Sequence, residues 1–189
     1  MNEMCRTMVE TLWSADERVY AVLDGARDPL VFMMVRACGL PHACLYAGRI
    51  PPELAKVAPY VVEVRRDHPF LEALLERGWG KSWGVFATAP CDLEAMRRHL
   101  RHFLRVQRED GKTMVFRYYD PRVLRVYLPT CTEAELTTFF GPVSRFVLED
   151  GGDGSRAVVF ARGGGAWSTS KVALQSDAPR VAVEVSPEM

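Results

Sequence analysis

Residues 116–129, "FRYYDPRVLRVYLP", place four charged side chains, Arg117, Asp120, Arg122 and Arg125, in what otherwise reads as a buried strand running into a buried helix. In a strand over 113–119, Met114, Phe116 and Tyr118 point to one face while Val115, Arg117 and Tyr119 point to the other, so Arg117 shares a face with apolar neighbours. A half-buried guanidinium needs a carboxylate. Asp24, at the end of the first predicted strand and before a Gly turn, is the best-placed one. Asp120 then reads as an N-cap and Pro121 as the first residue of a short helix. Arg122 falls in the first turn, where the helix dipole disfavours a cation, so it is held by a specific contact or faces outward.

Working outward, residues 18–120 alternate between short β-branched or aromatic runs and longer helical periodicities, the pattern of an α/β layout. Strands are expected at 18–24, 43–47, 60–65, 83–88 and 113–119. Between them, "RDPLVFMMVRACG" has Asp28 as N-cap, Pro29 at the first helical position and Gly39 just past the end. "DHPFLEALLERGWG" repeats the device with Pro69 and Gly78. A third helix, 92–106, starts at Asp92 and carries Leu93, Met96, Leu100, Phe103 and Leu104 on one face. Its other side collects Arg97, Arg98, Arg101, Arg105 and Arg108 with His99 and His102, the strongest local charge cluster in the chain. A solvated helix face and a partner-binding face are both compatible with that cluster.

Beyond Pro129, Thr132 and Glu135 form a capping box for a short helix ending at Gly141. "SRFVLED" and "RAVVFAR" flank "GGDGS" and read as a hairpin over 144–149 and 156–162. From "GGG" at 163–165 a looser tail follows, with a last apolar alternation at 181–185. The expected class is α/β, a mixed sheet with helices alternating with strands, followed by a C-terminal β-hairpin and tail. Residues 1–142 form the main domain, and 143–189 pack on it.

The chain has 189 residues, 48% of them hydrophobic and 25% charged, a globular composition. Its apolar runs fall far short of the ~20 residues a membrane span needs, and Glu3 and Glu10 sit where a signal peptide is basic then apolar. A cytoplasmic address is expected. Five cysteines, Cys5, Cys38, Cys44, Cys91 and Cys131, are scattered and odd in number. That pattern gives neither a disulfide framework nor a zinc site. With 24 basic and 24 acidic residues, no global field draws the chain to nucleic acid or anionic lipid.

Motifs for chemistry are sparse. His99 and His102 have no acidic or thiol group beside them at ligand spacing, so no metal or other cofactor is expected. "GWGKSWG" and "GGGAWSTSK" lack the spacing of a phosphate loop, and no nucleophile elbow occurs. Trp79 and Trp83 bracket a Gly-rich turn and read as core aromatics ahead of a stacking platform.

"YAVLDGAR" (20–27), "APYVVEV" (58–64), "GWGKSWGVF" (78–86), "LRHFLRV" (100–106) and "DGKTMVFRYYDPRVLRVYLP" (110–129) together carry a family resemblance. Over roughly 18–142 the chain resembles the type VI secretion adaptor, or effector chaperone, family, once catalogued as a domain of unknown function. The resemblance rests on Asp24, Gly25, Ala26, Arg27, Gly78, Trp79, Gly80, Arg117, Tyr119, Asp120, Pro121 and Arg122. It implies a non-enzymatic loader that binds a cognate secreted effector and helps mount it on the spike (VgrG-type) protein, with no nucleic acid or membrane as partner. Partner contact is expected through Arg98, Arg101, Tyr119 and Arg122. Relatives carry a longer helical C-terminal lobe, so cargo contact here is expected on the first domain or the tail. A nucleic-acid-binding module using the basic face of 92–106 is the alternative.

Overall fold

Helices begin where the sequence supplies a side-chain acceptor for a free backbone N–H. In the computed structural model, which describes residues 2–107, 111–163 and 166–174, Asp28, His68, Asp92 and Asp120 each accept a bond from the first turn of the helix they precede. The helices are α1 (Glu3–Leu12), α2 (Pro29–Ala37), α3 (Pro52–Lys56), α4 (Pro69–Gly78), α5 (Leu93–His102), α6 (Pro121–Tyr127) and α7 (Glu133–Phe140). At α7 the Thr132–Glu135 capping box is present in both directions.

The strands are β1 (Arg18–Asp24), β2 (His42–Cys44), β3 (Pro59–Val64), β4 (Gly84–Ala89), β5 (Arg105–Gln107), β6 (Thr113–Val115), β7 (Arg145–Glu149), β8 (Arg156–Gly163) and β9 (Ala166–Ala173). Seven of them form one sheet in the order β2-β3-β1-β4-β7-β8-β9, and β5 and β6 form a separate two-stranded ladder. Every pairing is antiparallel. Both faces of the sheet are nevertheless covered. Met8 and Leu12 of α1, Val35 of α2 and Leu71 and Leu75 of α4 pack on the face of Ala21 and Val62. Met96 and Leu100 of α5, Leu124 of α6 and Phe140 of α7 pack on the face of Tyr20 and Val22. Two-sided burial explains why β1 reads as a continuous apolar run, since six of its seven residues have no water-facing side. The class is therefore α/β, with a C-terminal hairpin that continues the sheet through the β4–β7 ladder.

Four features depart from the sequence expectation. The strand over 113–119 is real only at Thr113–Val115, and it leaves the main sheet to pair with Arg105–Gln107. The Phe116 N–H still donates across to Leu104 O at 3.0 Å, and the chain then turns at Tyr118 and Tyr119, closed by the Asp120 N–H donating to Arg117 O at 2.9 Å. The reason lies in two consecutive tyrosines. Tyr118 and Tyr119 both enter the core on the Tyr20 face, Tyr118 among Phe116 and Phe139 with its hydroxyl donating to Leu100 O at 2.8 Å, and a strand would send them to opposite faces. The helix expected over 92–106 stops at His102 because Arg105 to Gln107 are taken into that ladder. The tail after 163 begins with a full strand, β9, paired along β8. Helices α1 and α3 were not expected. The alternation at 181–185 lies outside the described residues.

Candidate functional site

The residues that carry the family resemblance converge at one end of the sheet. β1 ends at Asp24, whose N–H donates to Trp83 O at 2.8 Å, and the Gly25 N–H follows with a bond to Ala58 O at 3.1 Å. A Cβ on Gly25 would stand 2.6 Å from Ala58 O and 2.9 Å from Lys56 O, so the backbones approach too closely for any side chain. The Asp24 carboxylate is 1% exposed. One oxygen accepts the Ala26 N–H at 3.0 Å and the other accepts the Arg117 guanidinium, which is thus paired as the sequence suggested. Arg117 keeps 42% of its side chain in water, and its hydrogen bond to Asp24 raises its pKa. Arg27 donates to Lys81 O at 3.1 Å, tying this turn to the next loop.

That loop, between α4 and β4, is organised by a residue without a sequence signal. Glu149, at the end of β7 and 2% exposed, accepts the Gly80 N–H at 2.8 Å and the Ser82 N–H at 3.1 Å. Gly80 and Ser82 both have positive φ, 80° and 58°, and a buried acceptor aimed at their amides holds the loop in that conformation. Burial pushes the Glu149 carboxyl above its usual range, partly offset by the two amides. Trp79 Nε1–H donates to Gly154 O at 3.0 Å, and Gly78 lies under the Trp83 ring, 2.6 Å from where its Cβ would be. Trp83 lies in the core and Trp79 packs against it.

Asp120 is the third buried carboxylate. It caps α6 through the Arg122 N–H at 3.0 Å and also receives the Arg122 side chain, Nε at 3.0 Å and Nη2 at 2.6 Å. Burial alone would raise its pKa, but the bonds from Arg122 prevail and lower it. Arg122 is therefore held by a specific contact while remaining 53% exposed, and Pro121 beside it is buried. Tyr119 is not available to a partner. It is buried at 3% exposure, because the turn at 118–119 folds it inward. Asp24, Asp120 and Glu149 thus each engage donors of the chain; the Asp24–Arg117 pair joins 24–28 to 117–122, and the bonds from Arg27 to Lys81 O and from the Asp24 N–H to Trp83 O join 24–28 to 78–84.

The basic face of α5 is divided. Arg97 donates from Nε to Cys44 O at 3.1 Å and pairs with Glu94 at 3.7 Å. His99 bonds Phe139 O through Nε2 at 2.8 Å and packs edge-on to Phe103. Arg98 is exposed, Arg101 is half-buried beside a cleft, and Arg108 lies outside the described residues. No group of three His, Cys, Asp or Glu among the described residues is placed to hold a metal.

Burial lowers the pKa of His99 below 6.5, with the bond to Phe139 O opposing the shift. A lowered folded pKa means that the unfolded chain binds the proton more readily, so stability falls as pH drops through 6.5. Melting temperature is expected to fall between pH 7.5 and 5.5, and His99→Gln is expected to flatten that segment of the profile. An unchanged slope in the variant would assign the effect to other groups.

A family model for a domain of unknown function, DUF4123, matches residues 19–138, from β1 to the last turn of α7. The chain belongs to this family. The family is linked to type VI secretion adaptors. The matched span contains Asp24, Arg117, Asp120 and the 78–84 loop, and it stops short of Glu149, β7, β8 and β9. No curated protein and no solved structure matches the chain.

Proposed function

We propose that this DUF4123 protein is a non-enzymatic cytoplasmic adaptor that binds a secreted effector of a type VI system and helps load it onto the spike protein. The observation that carries this reading is the family match over 19–138, which takes in the motif residues of the opening resemblance. The geometry supports it in a second way. The charged motif residues engage one another and the loops around them, which is what a scaffold for presenting a binding surface requires. Among the described residues no helix is long and apolar enough to cross a membrane.

The nucleic-acid alternative loses support. It needs a continuous cationic face on α5, whereas Arg97 is turned to a backbone carbonyl and a neighbouring carboxylate, and His99 is inserted against α7.

The test is co-expression with candidate effector and spike proteins of a type VI system from the same genome. The adaptor reading expects a stoichiometric complex on size-exclusion chromatography and a several-fold higher soluble yield of the effector. Separate elution of all three proteins, with unchanged effector yield, would contradict it.

A further inference from the structure

A cleft of about 470 Å3 opens where residues 45–51 and the start of α3 meet the end of α5 and the β5–β6 ladder. Its volume lies within the range of pockets that enclose a small molecule, room enough for a few side chains. Leu54, Leu104 and Val115 give it an apolar lining, and Leu54 and Val115 are exposed large hydrophobics. Three guanidinium groups, Arg49, Arg101 and Arg105, stand around that lining, and among the described residues no carboxylate lines the cleft.

The three arginines stand apart from those of the chain that carry an ion pair. Arg18, Arg97, Arg117, Arg122 and Arg156 each pair with a carboxylate. Among the described residues, Arg49, Arg101 and Arg105 have no such ion pair. In a chain of zero formal net charge, this is a local excess of positive charge built around an apolar depression. The register of the small ladder contributes directly. Arg105 and Val115 are opposite partners, so they project to the same face, and both line the cleft.

We infer that the cleft is the docking site for a segment of a partner protein in which aliphatic anchors are flanked by carboxylates. The concave apolar floor takes the anchors, and the arginine rim supplies charge complementarity that sets orientation and speeds encounter. A protein segment fits better than a nucleic acid or a lipid surface. The lining is mainly aliphatic and offers no array of exposed rings for base stacking, and a recess accepts protruding side chains better than it meets a flat bilayer. The partner's identity rests on the adaptor reading; the chemistry of the site does not.

The experiment has two arms on the full chain. In the first, a photo-crosslinking amino acid is placed at Val115, and at Val126 on α6 as a control, in the chain co-expressed with candidate type VI effector and spike proteins from the same genome. Crosslinks from 115 to a stretch rich in Leu, Ile or Val with Asp or Glu, and none from 126, are expected. A complex that forms but crosslinks from 126 alone overturns the docking site and leaves the adaptor reading standing. In the second arm, fluorescein-labelled 12-residue peptides of alternating Leu and Glu are titrated against the chain by anisotropy, beside Leu→Ser and Glu→Lys versions, a 20-nucleotide DNA and phosphatidylglycerol vesicles. The Leu/Glu peptide is expected to bind most tightly, and to lose at least about tenfold in affinity with Arg101→Glu plus Arg105→Glu and, independently, with Leu54→Glu. Absence of peptide binding, tighter binding of DNA or vesicles, or indifference to both variants overturns the proposal even if no effector complex is ever obtained.

Discussion

Arg117→Ala is expected to lower the melting temperature by about 5–10 °C. The substitution leaves the Asp24 carboxylate, 1% exposed, with only the Ala26 N–H as donor. Removing one partner of a fully buried pair costs about 3–5 kcal/mol. Because Arg117 is 42% exposed, water admitted by its removal offsets part of the loss, which places the expected cost at about 2–3 kcal/mol. For a chain of this length each kcal/mol moves the melting point by about 2–4 °C. Arg122→Ala makes the informative comparison. Asp120 keeps the backbone Arg122 N–H as a donor and the guanidinium is mostly in water, so the loss is expected to stay near 1 kcal/mol. Equal melting of the two variants would mean that Asp24 is not the anchor of this end of the sheet.

Glu149→Ala is expected to cost about 2–4 kcal/mol, because the amides of Gly80 and Ser82 lose their acceptor and each unsatisfied buried donor costs about 1–3 kcal/mol. Relief of the buried charge returns part of that. Glu149→Gln separates the two contributions. One amide oxygen accepts both N–H groups, so the Gln variant is expected within about 1 kcal/mol of the parent at neutral pH. The raised folded pKa of Glu149 fixes the sign of the pH dependence. The native state holds the proton after the unfolded chain has released it near 4.5, so this group's contribution falls as pH rises from 4.5 through the folded value. The parent is therefore expected to gain on the Gln variant as the pH is lowered toward 4.5. Thermal melts of the three proteins between pH 4.5 and 8 check both statements. A Gln variant as unstable as Ala would show that the charge, and not the hydrogen bonding, holds the loop.

What the sequence makes legible here is whatever is local. Asp28, Asp92, Asp120 and the Thr132–Glu135 pair announce their helices because a cap and the amides it serves are two or three residues apart. The Asp24–Arg117 pair spans 93 positions and was still inferable, because a charged residue between apolar neighbours demands a partner and a strand-terminal Asp was on offer. Periodicity failed at 113–119, where the side-chain count suits a strand but packing adjacent Tyr118 and Tyr119 into the same core requires a turn. At α1 the signal is present, since Cys5, Met8, Val9 and Leu12 fall at helical spacing amid Glu, Arg and Thr. β9 hides behind "GGG" and a Ser/Thr-rich sequence, as suits an edge strand with one side in water. Glu149 serves amides 69 and 67 positions away and looks locally like any strand end. The cleft is assembled from three separate stretches, around 45–54, 101–105 and 115, and no one of them marks it.

Labour is divided in the molecule: the motif residues at the Asp24 end hold the scaffold and the arginine-rimmed cleft receives the partner. Hydrogen exchange of the chain alone and in complex with its effector tests it most directly. Added protection is predicted over 45–54 and 101–106, with 22–27, 78–84 and 117–122 exchanging as in the free chain. Protection appearing at 22–27, 78–84 or 117–122, with the cleft segments unchanged, would contradict it.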